Sequence, residues 1–139
     1  MLVFTFMEVW KTIKDFENYE ISNYGRIKSL SKILKNRFGF YNSKEKILTS
    51  NVGYGGYKFQ KIKHKSFSIH RLVAEYFLKN IKDKNIVNHI DSNKLNNHYS
   101  NLEWVSSREN THHYELLQKR SSNYIGVSFD KSRNKWVSK

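Results

Sequence analysis

Residues 86–119 hold the side chains of this sequence that are best suited to chemistry. His89 ends a short apolar run, Asn101 precedes a second one, and Asn110 follows a Ser-Ser-Arg-Glu sequence that is typical of a helix start. An imidazole can accept a proton near neutral pH, and amide oxygens can bind a hard cation. The segment predicts a strand, a long loop, a second strand and a helix. The three side chains can meet only if this helix packs back across the two strands.

This segment resembles the catalytic motif of the HNH endonucleases, in the His-Me finger (ββα-metal) group, and most of all their phage intron-encoded homing members. The resemblance lies in Asn88-His89-Ile90-Asp91, Asn93-Lys94, Asn96-Asn97, Asn101-Leu102-Glu103-Trp104-Val105 and Arg108-Glu109-Asn110. It implies an α+β fold with a ββα-metal nuclease core behind a β-rich N-terminal region. The implied activity is metal-dependent cleavage of double-stranded DNA, leaving 5′-phosphate and 3′-hydroxyl ends.

The resemblance also implies roles for single residues. His89 is the expected general base, and Asn88 and Asn110 are the expected ligands of Mg²⁺ or Mn²⁺. Asn101 matches the middle Asn of the motif, and we expect it to hold the loop through backbone hydrogen bonds. In the loop itself we expect an Asx turn from Asp91 to Asn93, with Asn96 and Asn97 as turn formers.

One departure from the family pattern concerns the metal. Asn88 stands where the homing enzymes carry Asp, and Asn110 stands where the proteins named for a final His carry that residue. Two neutral amides bind a cation weakly, so the metal would depend on DNA for negative charge. A catalytically inactive DNA-binding or regulatory protein on the same scaffold is therefore the alternative.

The charge of the chain indicates a polyanionic partner. The formal net charge is +13, and it is unevenly distributed: +5 over residues 1–60, +5 over residues 61–86, −1 over residues 87–119 and +4 over residues 120–139. Basic flanks that neutralise phosphates, around a segment that tolerates a cation, would give this distribution. An AT-rich gene would also raise the Lys count, but it would not produce the lower net charge over residues 87–119.

The N-terminal region is expected to contact DNA. Residues 8–30 resemble a small nuclease-associated modular motif found beside HNH domains, with a turn at Asn23-Tyr24-Gly25. Residues 31–46 are basic without a clear period, which predicts a mobile loop. Strands are expected at Ile47–Ser50, Tyr57–Ile62 and Ser66–Ile69. The expected DNA contacts are Trp10, Lys11, Arg26, Lys28, Lys58 and Lys61. Trp10, Tyr19 and Ile21 could instead simply pack against the catalytic domain.

A helix is predicted from His70, because Leu72, Val73, Tyr76 and Phe77 share one face. The sequence His70-Arg71-Leu72-Val73 resembles the helix that precedes the catalytic hairpin in the HNH family. We expect His70 to be structural or, with Arg71, to contact a phosphate.

The segment after Ser121 predicts a hairpin, Tyr124–Phe129 with Trp136–Val137. It resembles the first two strands of an APETALA-type DNA-binding domain.

These expectations give three regions: a β-rich DNA-contact region (1–62), the nuclease core (63–119) and a truncated APETALA-type hairpin (120–139).

The composition excludes some kinds of site. Without cysteine, disulfides and thiolate zinc sites are excluded, and adjacent His112 and His113 cannot easily face one zinc ion. No apolar run is long enough for a membrane span. We expect an intracellular monomer in an infected or host cell. An RNA-binding module, supported only by the mixture of aromatic and basic residues, is the weakest alternative.

Overall fold

The computed structural model describes residues 7–117 and 127–138. The chain divides into two compact units between Ser106 and Ser107. Across the described residues, β-strands predominate and two α-helices are present, so the fold is α+β, as predicted. None of the helices in these two stretches is long and apolar enough to cross a membrane.

The first unit begins with an antiparallel sheet of short strands. Strand β1 (Trp10–Ile13) pairs with β2 (Phe16–Ser22), which pairs with β3 (Ile27–Ser29). Because strand side chains alternate between the two faces, one face of these strands turns inward, and Ile13, Ile21 and Ile27 are buried there. The predicted turn between β2 and β3 is confirmed. Gly25 takes a positive φ of 76° there, and its N–H donates to the Ser22 carbonyl at 2.9 Å.

Residues 31–46 are more regular than the predicted mobile loop. They contain an antiparallel hairpin of β4 (Lys32–Asn36) and β5 (Gly39–Ser43). No residue of either strand is buried, and the large side chains of Ile33, Phe38 and Phe40 are exposed. A hairpin without a buried face lacks the hydrophobic alternation by which strands are predicted, which explains the error.

After this hairpin the chain returns to the first sheet and then forms a second one. Strand β6 (Lys46–Leu48) pairs with β3, and β7 (Asn51–Val52), β8 (Lys58–Ile62) and β9 (Lys65–Ser68) form a three-stranded antiparallel sheet. The three strands predicted here are confirmed with shifted ends. Helix α1 (Ile69–Phe77) follows directly, one residue earlier than predicted.

The predicted strand-loop-strand of the motif is confirmed. Strand β10 (Ile86–His89) pairs antiparallel with β11 (Leu102–Val105), which sets Asn88 opposite Glu103 and His89 opposite Leu102. The loop between the strands ends in a short 3₁₀ turn, Tyr99–Asn101.

One hydrophobic core holds the first unit together. It joins residues of β1 to β3 with residues of β8, α1 and the β10–β11 hairpin: Ile13, Phe16, Ile21, Ile27, Ile62, Ile69, Leu72, Val73, Ala74, Val87 and Leu102. The predicted boundary at 62/63 therefore runs through a shared core, and the chain divides at Ser106/Ser107 instead. The functions assigned to the three predicted regions stay predictions.

The second unit contains helix α2 (Ser107–Leu117) and a hairpin of β12 (Val127–Asp130) and β13 (Lys135–Ser138). The helix has Glu109 in its first turn, as the predicted helix start requires. In the hairpin the Phe129 and Trp136 rings meet edge to face with centroids 5.1 Å apart. Residues 124–126 of the predicted first strand lie outside the described residues.

Candidate active site

His89 lies at the end of β10 with its side chain turned into the protein. It is 4% exposed, and its Nε2 lies 3.1 Å from Oδ1 of Asn97. The Asn97 amide nitrogen donates to the Leu95 carbonyl at 3.4 Å, so this orientation of the amide presents its oxygen to His89. An amide oxygen only accepts hydrogen bonds, so Nε2 carries the proton. The lone pair of the imidazole is then on Nδ1, which is the nitrogen available to accept a proton.

Two further rings surround His89. The His70 ring centroid lies 5.4 Å from that of His89, and Tyr57 lies 4.7 Å from His70 and 5.9 Å from His89. Burial, together with the charges of His89 and Arg71, lowers the pKa of His70 to about 4. His70 is therefore a neutral imidazole at physiological pH. Its Nδ1 is buried and has no hydrogen-bond partner among the described residues.

Asn101 organises the loop between the two strands. Its side-chain oxygen accepts from the Asp91 N–H at 3.0 Å, and its amide nitrogen donates to the Asn96 carbonyl at 2.9 Å and to Asp91 Oδ1 at 2.8 Å. This is the loop-holding position expected for it. Asp91 also forms the predicted Asx turn, accepting from the Asn93 N–H at 2.8 Å. Hydrogen bonds from Asn96 and Asn101 hold the pKa of the Asp91 carboxyl below its usual range.

The turn between β2 and β3 supports this loop from the other side. The Asn23 carbonyl accepts from the Tyr99 N–H at 2.8 Å, and the Tyr24 and His98 rings meet with centroids 4.5 Å apart. Gly25 touches the loop so closely that a Cβ there would lie 2.7 Å from the Asn97 Cβ. The turn between β2 and β3 thus packs directly against Asn97, the residue that is hydrogen-bonded to His89.

Asn88 and Asn110, the two expected metal ligands, belong to different units. Asn88 is half-buried on β10, and its amide nitrogen donates to Glu103 Oε1 at 2.9 Å. Asn110 is the fourth residue of α2. Its convergence with His89 and Asn88 stays a prediction.

The donor chemistry on the hairpin fits a hard cation. An amide oxygen and a carboxylate are oxygen ligands of the kind that Mg²⁺ and Mn²⁺ prefer. Among the described residues, no three His, Asp or Glu side chains are grouped so as to hold a metal by themselves. A metal here would therefore depend on amide oxygens, water and phosphate for most of its ligands.

The residues expected to contact DNA on the first sheet lie close together. The Arg26 guanidinium pairs with the Glu8 carboxylate and lies 5.8 Å from the Trp10 ring. Lys28 lies 4.5 Å from the same ring and 3.0 Å from a Glu20 carboxylate oxygen. Acidic neighbours thus offset part of the positive charge of this group.

The other expected DNA contacts vary in exposure. Lys61 is exposed and Lys58 is half-buried, both on β8. Lys11 donates to the Tyr76 carbonyl at 2.7 Å, and Arg71 donates to the Asn85 carbonyl at 2.8 Å. His70 differs from the rest, because it is only 8% exposed and lies against His89. Its surroundings favour the structural role over the phosphate contact.

Sequence reasoning missed two residues that shape the site. Asn97 was expected to form a turn, yet it is 3% exposed and holds His89. Tyr57 was expected as the first residue of a strand, with no role at the site. Which Asn of an Asn-rich loop turns inward depends on the path of the loop, and the residue pattern carries no signal for that path.

The comparisons with known proteins agree with this geometry. Residues 8–95 match the NUMOD4 motif. This match covers more than half of the chain, and the chain belongs to the NUMOD4 family. The predicted likeness of residues 8–30 to a nuclease-associated modular motif is thereby confirmed, over a longer stretch than expected.

Several relatives carry endonuclease names. The chain is 43% identical over 108 residues to "Uncharacterized HNH endonuclease L245" of Acanthamoeba polyphaga mimivirus, covering 75% of this chain and 29% of that protein. It is 34% identical over 106 residues to "DNA endonuclease I-HmuI" of Bacillus phage SP01, covering 73% of this chain and 54% of that protein. The predicted resemblance to HNH homing endonucleases is confirmed.

A solved structure also resembles this fold. It describes DNA binding and cleavage by the HNH homing endonuclease I-HmuI, with a TM-score of 0.60 and 31% identity over 78% of this chain. The chain spans 58% of that protein and 29% of the mimivirus relative, so it matches only part of each. The likeness of residues 120–139 to an APETALA-type domain stays a prediction.

Proposed function

We propose that this protein is a metal-dependent DNA endonuclease of the HNH type. The observation that carries the proposal is His89, buried at the end of β10 and held by Asn97 so that Nδ1 bears its lone pair. Relatives named HNH endonucleases support the same reaction.

In the proposed reaction, Nδ1 of His89 takes a proton from a water molecule as the water oxygen attacks the phosphorus. The bond between phosphorus and the 3′ oxygen breaks, which leaves a 5′-phosphate and, once the 3′ oxygen is protonated, a 3′-hydroxyl. Before this proton transfer, Asn97 keeps the neutral imidazole in the required tautomer, and afterwards its oxygen still accepts from Nε2–H of the imidazolium. When bound, a divalent cation would stabilise negative charge on the phosphate and on the departing oxygen.

The proposal also concerns helix α2. We propose, as the resemblance to the HNH family implies, that Asn110 of α2 is a ligand of Mg²⁺ or Mn²⁺, as Asn88 is. The support is the chain order of hairpin and helix, with Asn110 near the start of the helix.

Double-stranded DNA is the proposed substrate, bound by a monomer inside an infected or host cell. The net charge of +13 supports a polyanionic partner. The β4–β5 hairpin adds exposed basic and aromatic side chains, with Lys35 5.6 Å from the Phe40 ring and the Arg37 guanidinium 4.5 Å from the Phe38 ring. Exposed pairs of this kind suit contact with phosphates and with sugars or bases.

A second function is favoured by one specific feature. Asn88 supplies an uncharged ligand at a metal position, which would suit an inactive DNA-binding protein with regulatory function on the same scaffold.

The experiment that tests the proposal incubates the purified protein with supercoiled plasmid and Mg²⁺, Mn²⁺ or a chelator. We expect nicked or linear DNA with either metal and intact plasmid with the chelator. Salt-sensitive DNA binding without any metal-dependent cutting would contradict the proposal and support the inactive DNA-binding protein.

A further inference from the structure

Tyr54 carries a fully exposed aromatic ring at the tip of the turn between β7 and β8. The turn has a defined shape, because the Gly56 N–H donates to the Gly53 carbonyl and the Gly53 N–H donates to the Tyr57 carbonyl, both at 2.9 Å. Gly56 has a positive φ of 79°, which glycine adopts without strain. In the part of the chain that the structure describes, the Tyr54 side chain has no ring, cation or hydrogen-bond partner.

This turn is fastened to the loop between β10 and β11. Lys94 of that loop donates to the Gly55 carbonyl at 3.0 Å, and its Nζ lies 4.7 Å from the centroid of the Tyr57 ring. The Tyr57 ring in turn lies 5.9 Å from the His89 ring. Because the turn is fixed in this way, Tyr54 would lose little conformational freedom on binding a partner. The exposed ring is therefore held in place beside His89.

The distance from Tyr54 to the site is short on the scale of nucleic acid. Three residues of fully extended chain span at most about 11 Å, so the Cα atoms of Tyr54 and Tyr57 are no further apart than this. One strand of duplex DNA rises by about 3.4 Å per nucleotide. The Tyr54 ring can therefore reach a nucleotide close to a phosphate that is bound at His89.

The charge around the turn favours a polyanion as the partner of this ring. Residues 46–74 contain no Asp or Glu, and their basic residues are Lys46, Lys58, Lys61, Lys63, Lys65 and Arg71. None of these six forms an ion pair within residues 7–117 and 127–138. On the first sheet, by contrast, Arg26 pairs with Glu8 and Lys28 pairs with Glu20. An aromatic ring among unpaired cations suits a nucleotide, whose base or sugar packs on the ring while phosphates meet the cations.

We propose that Tyr54 packs on a nucleotide of the DNA substrate, within about three nucleotides of the phosphate that is cleaved. The ring contributes to DNA binding. Because the turn is fastened to the loop that supports His89, the ring also helps to hold the reacting phosphate against the base. This inference rests on the proposed function for the reaction at His89, whereas the DNA contact itself does not depend on cleavage.

The first test measures the affinity of the full chain for a linear DNA duplex in the presence of a chelator, so that binding is measured apart from cleavage. Tyr54→Ala should weaken binding by about tenfold, because the contact between the ring and the nucleotide is lost. Tyr54→Phe keeps the ring and should bind within about twofold of wild type. Ile81→Ala is the control, since it truncates another exposed apolar side chain, and it should bind as wild type does.

Salt dependence separates a ring contact from a phosphate contact. Tyr54 is neutral, so Tyr54→Ala should leave the slope of log affinity against log salt concentration unchanged. Lys61→Ala removes an expected phosphate contact and should reduce that slope by about one. A smaller slope for Tyr54→Ala would show that the substitution disturbs phosphate contacts instead and would overturn the inference.

The second test measures cleavage of plasmid at saturating DNA and Mg²⁺. Tyr54→Ala should cut about tenfold more slowly than wild type, because the phosphate is held less well against His89. An unchanged cleavage rate in Tyr54→Ala would overturn the placement of the ring beside the reacting phosphate.

The binding results decide the DNA contact separately. Tyr54→Ala that binds DNA within about twofold of wild type would overturn the inference, as would Tyr54→Phe that binds as weakly as Tyr54→Ala. Weaker binding by Tyr54→Ala, together with a wild type that never cuts DNA, would overturn the nuclease proposal and leave the DNA contact standing.

Discussion

At the scale of single residues, a hydrogen bond to Asn97 decides how His89 can act. An amide oxygen on Nε2 leaves the lone pair on Nδ1, and burial at 4% exposure keeps the imidazole in that arrangement. The sequence motif predicted His89 as the base and Asn101 as the residue that holds the loop. It could not predict Asn97, because Asn96 and Asn97 have the same chemistry and only the folded loop shows which of them turns inward.

His70 gives the first prediction, which concerns stability against pH. Its pKa is lowered to about 4 by burial and by the charges of His89 and Arg71, with the Tyr57 ring packed alongside. An unfolded chain binds this proton near pH 6.5, so its contribution to stability is complete above about pH 6.5 and is lost as the pH falls toward 4. Between pH 7 and pH 4.5 this loss should reach about 2 kcal/mol.

Urea unfolding of wild type and of His70→Gln over this range measures the effect. The variant should lose about 2 kcal/mol less than wild type between pH 7 and pH 4.5. The lowered pKa values of Glu8 and Asp91 act at the lower end of this range and below it, and they are common to both proteins. Parallel stability curves for the two proteins would show that His70 is not held neutral by the fold.

At the scale of elements, the turn between β2 and β3 and the loop between β10 and β11 form one support for His89. The sequence predicted both strands of the motif, the turn and the apolar stripe of α1, because each carries a local pattern. It missed the β4–β5 hairpin, which has no buried face. The sequence also could not predict the contact between Gly25 and Asn97, because 72 positions separate these residues in the chain and no local pattern joins them.

Gly25→Ala tests this support. The new Cβ would lie 2.7 Å from the Asn97 Cβ, so the loop must shift and move the partner of His89. We expect the cleavage rate to fall by about tenfold or more in the folded protein, with little change in KM, because the base is displaced while the DNA-contact residues are not. Plasmid cleavage kinetics, corrected for the folded fraction, measure this.

Gly39→Ala is the matched control. Gly39 also has a positive φ, 126°, but nothing lies within 4 Å of a Cβ placed there. The Gly39→Ala variant should therefore carry backbone strain, as Gly25→Ala does, and still cleave plasmid at the wild-type rate. Equal rates for the two variants would remove the proposed positioning role of the turn.

At the scale of the whole chain, the hydrophobic core and the basic residues are distributed differently along the sequence. One hydrophobic core joins the N-terminal sheet to the motif hairpin, so the NUMOD4 region and the site of His89 fold as one unit. The basic excess lies outside the motif, in the sequence on either side of it. Composition predicted a polyanionic partner from that excess. It could not predict the shared core, because a core is made by contacts between residues far apart in the chain.

The most direct test of the account compares wild type with His89→Ala on supercoiled plasmid in Mg²⁺ or Mn²⁺, with DNA affinity measured alongside. The account predicts that the variant cuts at least about 100-fold more slowly while it binds DNA within about threefold of wild type, because the base is lost and the phosphate contacts remain. A His89→Ala protein that cuts DNA at the wild-type rate would contradict it.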